Sequence, residues 1–220
     1  MNTSLIKKFA IQTYGCQMNV ADSELVEGIL TNLGLEKTAD YDEADAIFLN
    51  TCAIRENAET KVHSKLGNLH KIKLNKPHLI IGVLGCMAQN LKDDLLKNKP
   101  YVDIILGPDS YRKIPDLLNR HITDNKSIVD TKLSRHEVYE NLFPNRGDTF
   151  NAWVSIMRGC NKFCSFCIVP FTRGRERSRS IDSIVEEVKK AVDKGFIEIT
   201  LLGQNVNSYK YEGKSFSDLL

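Results

Sequence analysis

The sequence predicts an α/β protein: an open parallel sheet first, and the beginning of a second α/β region after it. Three observations carry that prediction. Apolar runs of strand length alternate with amphipathic stretches of helical length up to about residue 120. One run, residues 79–84 (LIIGVL), has almost no polar residue, the pattern of a strand buried on both faces of a parallel sheet. After a polar, irregular interval the alternation resumes near residue 151.

The elements follow in order. Residues 9–14 read as the first strand and 22–33 as a helix ending near Gly34. Residues 46–51 (AIFLNT) are the second strand. Ala58, Val62, Leu66, Leu69 and Ile72 then recur at steps of three or four, one face of a long helix. Residues 79–84 are the third strand, 91–97 a short helix, 102–106 the fourth strand and 111–120 a further helix. This first domain is expected to span residues 1–122. Residues 123–150 read as a linker, with turn signals at Pro144-Asn145 and Arg146-Gly147-Asp148 and one short strand at 127–129. From 151 to 220 come a strand at 152–157, a helix at 181–194 and a strand at 197–202. Trp153 is expected in the core. Two strands and one helix bury too little to stand alone. The second region should therefore lean on the first or continue in a longer protein.

Composition bounds the function. A hydrophobic share of 42% and a charged share of 26% are those of an ordinary globular chain. A net charge of +2 does not by itself argue for nucleic acid or membrane. No apolar run approaches the roughly 18 residues of a membrane span, and residues 1–9 lack the apolar centre of a secretion signal. A cytoplasmic, non-membrane protein is expected, with a monomer as the default. In that setting the six cysteines read as metal ligands or reactive thiols rather than disulfides. His63 and His70, on one predicted helix, are expected to be exposed rather than a metal pair.

Cys16, Cys52 and Cys86 each come just past a predicted strand, in YGC, NTC and LGC. In an open parallel sheet the carboxyl ends of the strands share one edge, where ligands bind. Any one of these could be a small buried hydrophobe, but the common position points to a shared site for zinc or an iron–sulfur cluster. Cys160, Cys164 and Cys167 form C-x3-C-x2-C directly after a strand. Three thiols in one loop, with no histidine beside them, suit a cubane cluster with one iron left free better than tetrahedral zinc. Phe163 and Phe166 inside this loop either shield a cofactor or pack the loop. Arg173, Arg175, Arg177 and Arg179 alternate just beyond it, able to meet phosphate or a carboxylate, or else solvated. Asn19, Asn50, Gln204 and Asn205 fall at strand ends, placed to line a pocket or to satisfy loop backbone.

The C-x3-C-x2-C loop resembles the signature of the radical S-adenosylmethionine superfamily. Longer matches, QTYGCQMN (12–19), NTCAIRE (50–56), GCMAQ (85–89), DIILGP (103–108), residues 159–174 and LGQNVNSY (202–209), resemble the methylthiotransferases within it. The resemblance implies that residues 151–220 begin a radical S-adenosylmethionine βα barrel, here truncated, and that a C-terminal TRAM domain is absent. It implies two 4Fe-4S clusters: Cys160, Cys164 and Cys167 hold the radical-generating one, and Cys16, Cys52 and Cys86 an auxiliary one. S-adenosylmethionine is the implied cosubstrate, with Arg173, Gln204 and Asn205 as candidate contacts. The wording GCQMN, NTCAIRENA and VPFTRGRERSR looks like the branch acting on N6-isopentenyladenosine beside the anticodon of tRNA. Branches acting on threonylcarbamoyl-adenosine in tRNA or on a ribosomal-protein aspartate are the alternatives, and a non-catalytic zinc-stabilised module is the alternative of another class. The piece alone is expected to lack turnover. The sequence specifies no sulfur donor or reductant.

Overall fold

The computed structural model describes residues 6–53, 56–147 and 150–220. Ile54, Arg55 and Asp148, singled out above, lie outside the described residues, as does the side chain of Ala58.

The apolar runs become the centre of a parallel sheet. β1 (Lys8–Tyr14), β2 (Glu36–Lys37), β3 (Ala46–Thr51), β4 (Ile80–Gly85), β5 (Ile104–Leu106) and β6 (Ile128–Asp130) lie in the order β2-β1-β3-β4-β5-β6. Every neighbouring pair is parallel. All six residues of β3 and of β4 are buried, including the polar Asn50 and Thr51 that end β3. The connecting helices are α1 (Gln17–Asn32), α2 (Glu56–Asn75), α3 (Cys86–Asn98) and α4 (Ile114–Asp124).

Two apolar layers sandwich the sheet. On one face Leu25, Val26, Ile29 and Leu30 of α1 and Leu117 and Leu118 of α4 pack on Phe9, Phe48, Leu84 and Leu106. On the other, Val62, Leu66 and Leu69 of α2 and Met87, Ala88 and Leu95 of α3 pack on Ile47, Leu49, Ile81 and Val83. The chain leaves β1 toward β2 on one side and returns to place β3 on the other. That reversal falls between β1 and β3, whose carboxyl ends are where ligands bind in sheets of this kind. The sixth strand comes from the polar interval, and Tyr139 in the same interval is buried against the first core.

The second region contains β7 (Asn151–Ser155), β8 (Met157–Arg158), α5 (Val169–Arg173), β9 (Arg177–Ser178), α6 (Ile181–Asp193) and β10 (Glu198–Leu202). It ends in the hairpin β11 (Lys210–Tyr211) and β12 (Lys214–Ser215) and a final turn of helix, α7 (Phe216–Leu219). β7 and β10 pair in parallel. Ser180 caps α6 by accepting the Ser183 N–H. β7 leans on α1, which supplies the cover two strands cannot make for themselves. Trp153 is half-buried at that contact, beside Asp22, Leu25 and Arg158, rather than in the apolar core. Among the described residues no helix is long and apolar enough to cross a membrane.

Candidate metal centre and its surroundings

The three strand-end cysteines reach one edge by register. Tyr14 lies opposite Thr51, and Thr51 opposite Gly85, so β1, β3 and β4 end level with one another. Cys52 donates its N–H to Tyr14 O at 2.9 Å. Cys16 caps α1 and Cys86 opens α3. Gly85 makes the second turn possible: its φ is +92°, and a Cβ there would stand 2.4 Å from Asn50 Oδ1. Cys52 and Cys86 are buried and Cys16 half-buried.

The asparagines hold these loops. Asn19 donates through Nδ2 to Asn50 Oδ1 at 3.1 Å. Asn50 donates through its own Nδ2 to Asn19 O and to Ser23 Oγ, both at 2.9 Å. Both residues are fully buried, so they satisfy loop backbone and not an open pocket.

Burial pushes the Cys86 thiol up, and the Arg173 guanidinium beside it pulls it down. Arg173 is buried and donates to Asp22 of α1 at 2.9 Å. The candidate cofactor contact thus sits at the first cysteine set, far along the chain from it. Among the described residues no three His, Cys, Asp or Glu side chains surround a point that could hold a single metal ion. Three soft thiols at three adjacent strand ends, with a buried cation among them, are a donor set that suits an iron–sulfur group.

The second set sits in a loop whose base is the antiparallel pair β8–β9, with Arg158 opposite Arg177. Gly159 turns the chain at φ +80°, where a Cβ would meet Arg175 O at 2.0 Å. Its N–H donates to Gln204 Oε1 at the end of β10. Cys160 donates its N–H to Gly174 O at 3.0 Å, and Cys167 to Cys164 O at 2.9 Å. Lys162 N–H points at Cys160 Sγ, 3.5 Å away. Cys160 is buried, Cys167 half-buried and Cys164 exposed. Phe163 meets Phe171 edge-on at 6.0 Å and lies under Arg175 at 4.2 Å. Phe166 is 90% exposed, so loop packing does not account for it. Asn205 is half-buried and accepts from Ser208 N–H at 2.9 Å.

The arginine run divides. Arg173, Arg177 and Arg179 are buried and Arg175 is exposed. Arg177 donates to Asp109 at 2.8 Å and Arg179 to Glu187 at 2.6 Å. A solvated charged strand is therefore not what this run makes. Asp22, Asp109 and Arg158 escaped the sequence reading. Their partners lie up to 151 residues away, and no local pattern marks such a contact. His63 is half-buried, and His70 stacks on Tyr101 at 4.0 Å.

Comparison with known proteins finds matches for both regions of the chain. Residues 8–107 match a family model described as "Uncharacterized protein family UPF0004", and residues 154–219 match that of the radical SAM superfamily. The chain is similar to tRNA-2-methylthio-N(6)-dimethylallyladenosine synthases. Identity is 52% to that of Phocaeicola vulgatus, over 94% of this chain and 45% of the relative. It is 49% to that of Porphyromonas gingivalis, over 97% of this chain and 48% of the relative. The chain thus spans under half the length of these relatives. In fold it resembles the radical S-adenosylmethionine methyltransferase TsrM of Kitasatospora setae, with a TM-score of 0.60 at 11% identity, covering 91% of this chain and 48% of that one. Half its residues are shared with these synthases along nearly its whole length, and both family models match in order: the chain belongs to the methylthiotransferase family of radical S-adenosylmethionine enzymes.

Proposed function

We propose that this chain builds the cysteine-bearing part of a tRNA methylthiotransferase, which places a methylthio group on carbon 2 of N6-isopentenyladenosine beside the anticodon. The observation that carries the reading is the convergence of Cys16, Cys52 and Cys86 at three level strand ends, with Arg173 reaching them from just beyond the C-x3-C-x2-C loop. Two thiol sets linked so closely suit chemistry that uses two clusters on one substrate. In this reading residues 1–122 are the methylthiotransferase domain, 123–150 the connection, and 151–220 the start of the barrel. Cytoplasmic tRNA is the partner, and a monomer the simplest assembly.

When bound, two 4Fe-4S clusters and S-adenosylmethionine supply a radical that removes an unactivated aromatic hydrogen, and the sulfur and methyl group that replace it. This chain's residues hold and shape the site. Cys160, Cys164 and Cys167 would hold one cluster. The Lys162 N–H steadies the Cys160 sulfur. Gln204 fixes the Gly159 turn that aims the loop. Phe163 packs edge-on against Phe171 and under Arg175 beside it, a partly exposed apolar and cationic patch. Cys16, Cys52 and Cys86 are the ligands of the second cluster. Arg175, the exposed arginine of the run, is placed to meet a phosphate.

Anaerobic reconstitution tests the reading. About eight irons per chain are expected, with matching sulfide, as two 4Fe-4S clusters require. Replacing either cysteine set by alanine should halve both, and replacing all six should abolish them. Stoichiometric zinc without sulfide would overturn the assignment. Nucleoside analysis of tRNA carrying isopentenyladenosine, treated with the enzyme at its relatives' length, tests the substrate.

A further inference from the structure

Five charged side chains are buried together where the second region meets α1. They are Arg158, Arg173, Arg177, Asp22 and Asp109, none more than 8% exposed. Asp22 binds Arg158 through Oδ1 and Arg173 through Oδ2, both at 2.9 Å. Asp109 binds Arg177 at 2.8 Å and accepts the Ser134 N–H at 2.9 Å. Arg112 and Glu137, at the edge of the group, pair with each other. The three arginines outnumber the two aspartates, so one buried positive charge is in excess. Such a charge is costly unless an anion completes the group.

Where that anion belongs follows from what each arginine already holds. Arg158 donates to Asp22 and Pro108 O and lies over the Tyr139 ring; its buried Nε makes no hydrogen bond but has the Asp109 carboxylate 4.0 Å away as counter-charge. Arg177 donates to Asp109 and to the carbonyls of Glu137, Arg173 and Arg175. Arg173 uses Nη2 on Asp22, and its buried Nη1 has no hydrogen-bond acceptor. The ionisable neighbours of that guanidinium, after Asp22, are Cys86, Tyr111 and Cys16. The backbone places it there: α5, which ends at Arg173, packs on α3, which begins at Cys86.

We propose that Arg173 is a positioning residue of the strand-end cysteine site: anchored by Asp22, it offsets the negative charge of the Cys16, Cys52 and Cys86 thiolates and raises the reduction potential of the iron–sulfur group they hold. The inference rests on the reading of these cysteines as cluster ligands. A fixed positive charge beside the sulfurs favours the state with one more electron, and fixed charges and hydrogen bonds around a cluster set its potential. Arg173 acts through the sulfurs and need touch no substrate.

The test uses a background in which Cys160, Cys164 and Cys167 are alanine, leaving the strand-end set alone, reconstituted anaerobically and titrated by electron paramagnetic resonance. Arg173→Met should move the midpoint to a more negative potential, and Arg173→Lys should recover most of the shift. Asp22→Asn, which removes the counter-charge while keeping the side chain's shape, should move it the opposite way. This variant and Arg173→Lys keep the sign testable even where the methionine variant does not fold. A background protein that binds iron but keeps one potential through these variants overturns the role of Arg173 alone. A background protein that binds no iron overturns the cluster reading and this inference with it.

Discussion

Glu24 shows what a single residue at the junction costs and contributes. It sits in α1, 8% exposed, with Arg146 Nε 3.4 Å from its carboxylate. Burial pushes its pKa up to about 7; Arg146 pulls against this, while Glu27 and Glu187 add to it. A carboxyl whose folded pKa is raised stabilises the fold fully below its unfolded value near 4.5, and that share is lost as pH rises through about 7. Stability should thus fall between those limits, and Glu24→Gln should flatten the slope. Urea midpoints measured across this range check it, and an unchanged slope in the variant counts against it. That Cys16, Cys52 and Cys86 lie just past strand ends was legible because YGC, NTC and LGC each follow an apolar run. Arg173 was legible as a functional candidate but not in its place. Its partner Asp22 is 151 residues upstream, and alternation along the chain cannot say which arginine turns inward.

At the scale of elements, buried strands and one-sided helices were readable, as was the start of α6 at Ile181, whereas the starts of α1 and α3 were not. The run 46–51 is β3 residue for residue, because six consecutive apolar or small polar residues fit a strand covered on both faces. α1 begins at Gln17, five residues before the expected start at 22. Asn19, Asp22, Ser23, Glu24 and Glu27 are all buried there. These residues face the second region and the loops rather than water, so the apolar period that signals a helix is broken. α3 likewise starts at Cys86, before the expected 91. Lys92 leaves helical geometry at φ 46°, and the pattern resumes only after it. For α2 the periodic face does decide burial: Leu66 is fully buried and Leu74 is 69% exposed. Leu66→Ala should cost about 2–5 kcal/mol by loss of packing and a residual cavity. Leu74→Ala should fall within about 0.5 kcal/mol of the parent. Chemical denaturation of the two variants separates them, and equal losses would mean that the α2 face is wrongly assigned.

For the whole molecule, the joint between the two regions is ionic at its centre. Asp109 accepts from Arg177 and Ser134, and burial raises its pKa. Asp109→Asn leaves Arg177 short of its counter-charge and should cost about 3–5 kcal/mol, with faster hydrogen exchange in β8, β9 and α1. Asp94→Asn, which breaks the exposed Lys97 pair, should have no measurable effect. Equal stability of these two variants would show that the joint is not held by its charges. None of this joint was legible as such, because sheet and helix patterns report local burial and not which distant element provides it. The joint also has a consequence for the order of events during synthesis. Asp22 waits on a ribosome-bound chain until Arg158 and Arg173 have emerged more than a hundred residues later. Until then the first three thiols have no cation at their side. An iron–sulfur group built on the earlier set of a chain stalled before residue 158 should therefore sit at a more negative potential than in the finished chain, the state that Arg173→Met reproduces.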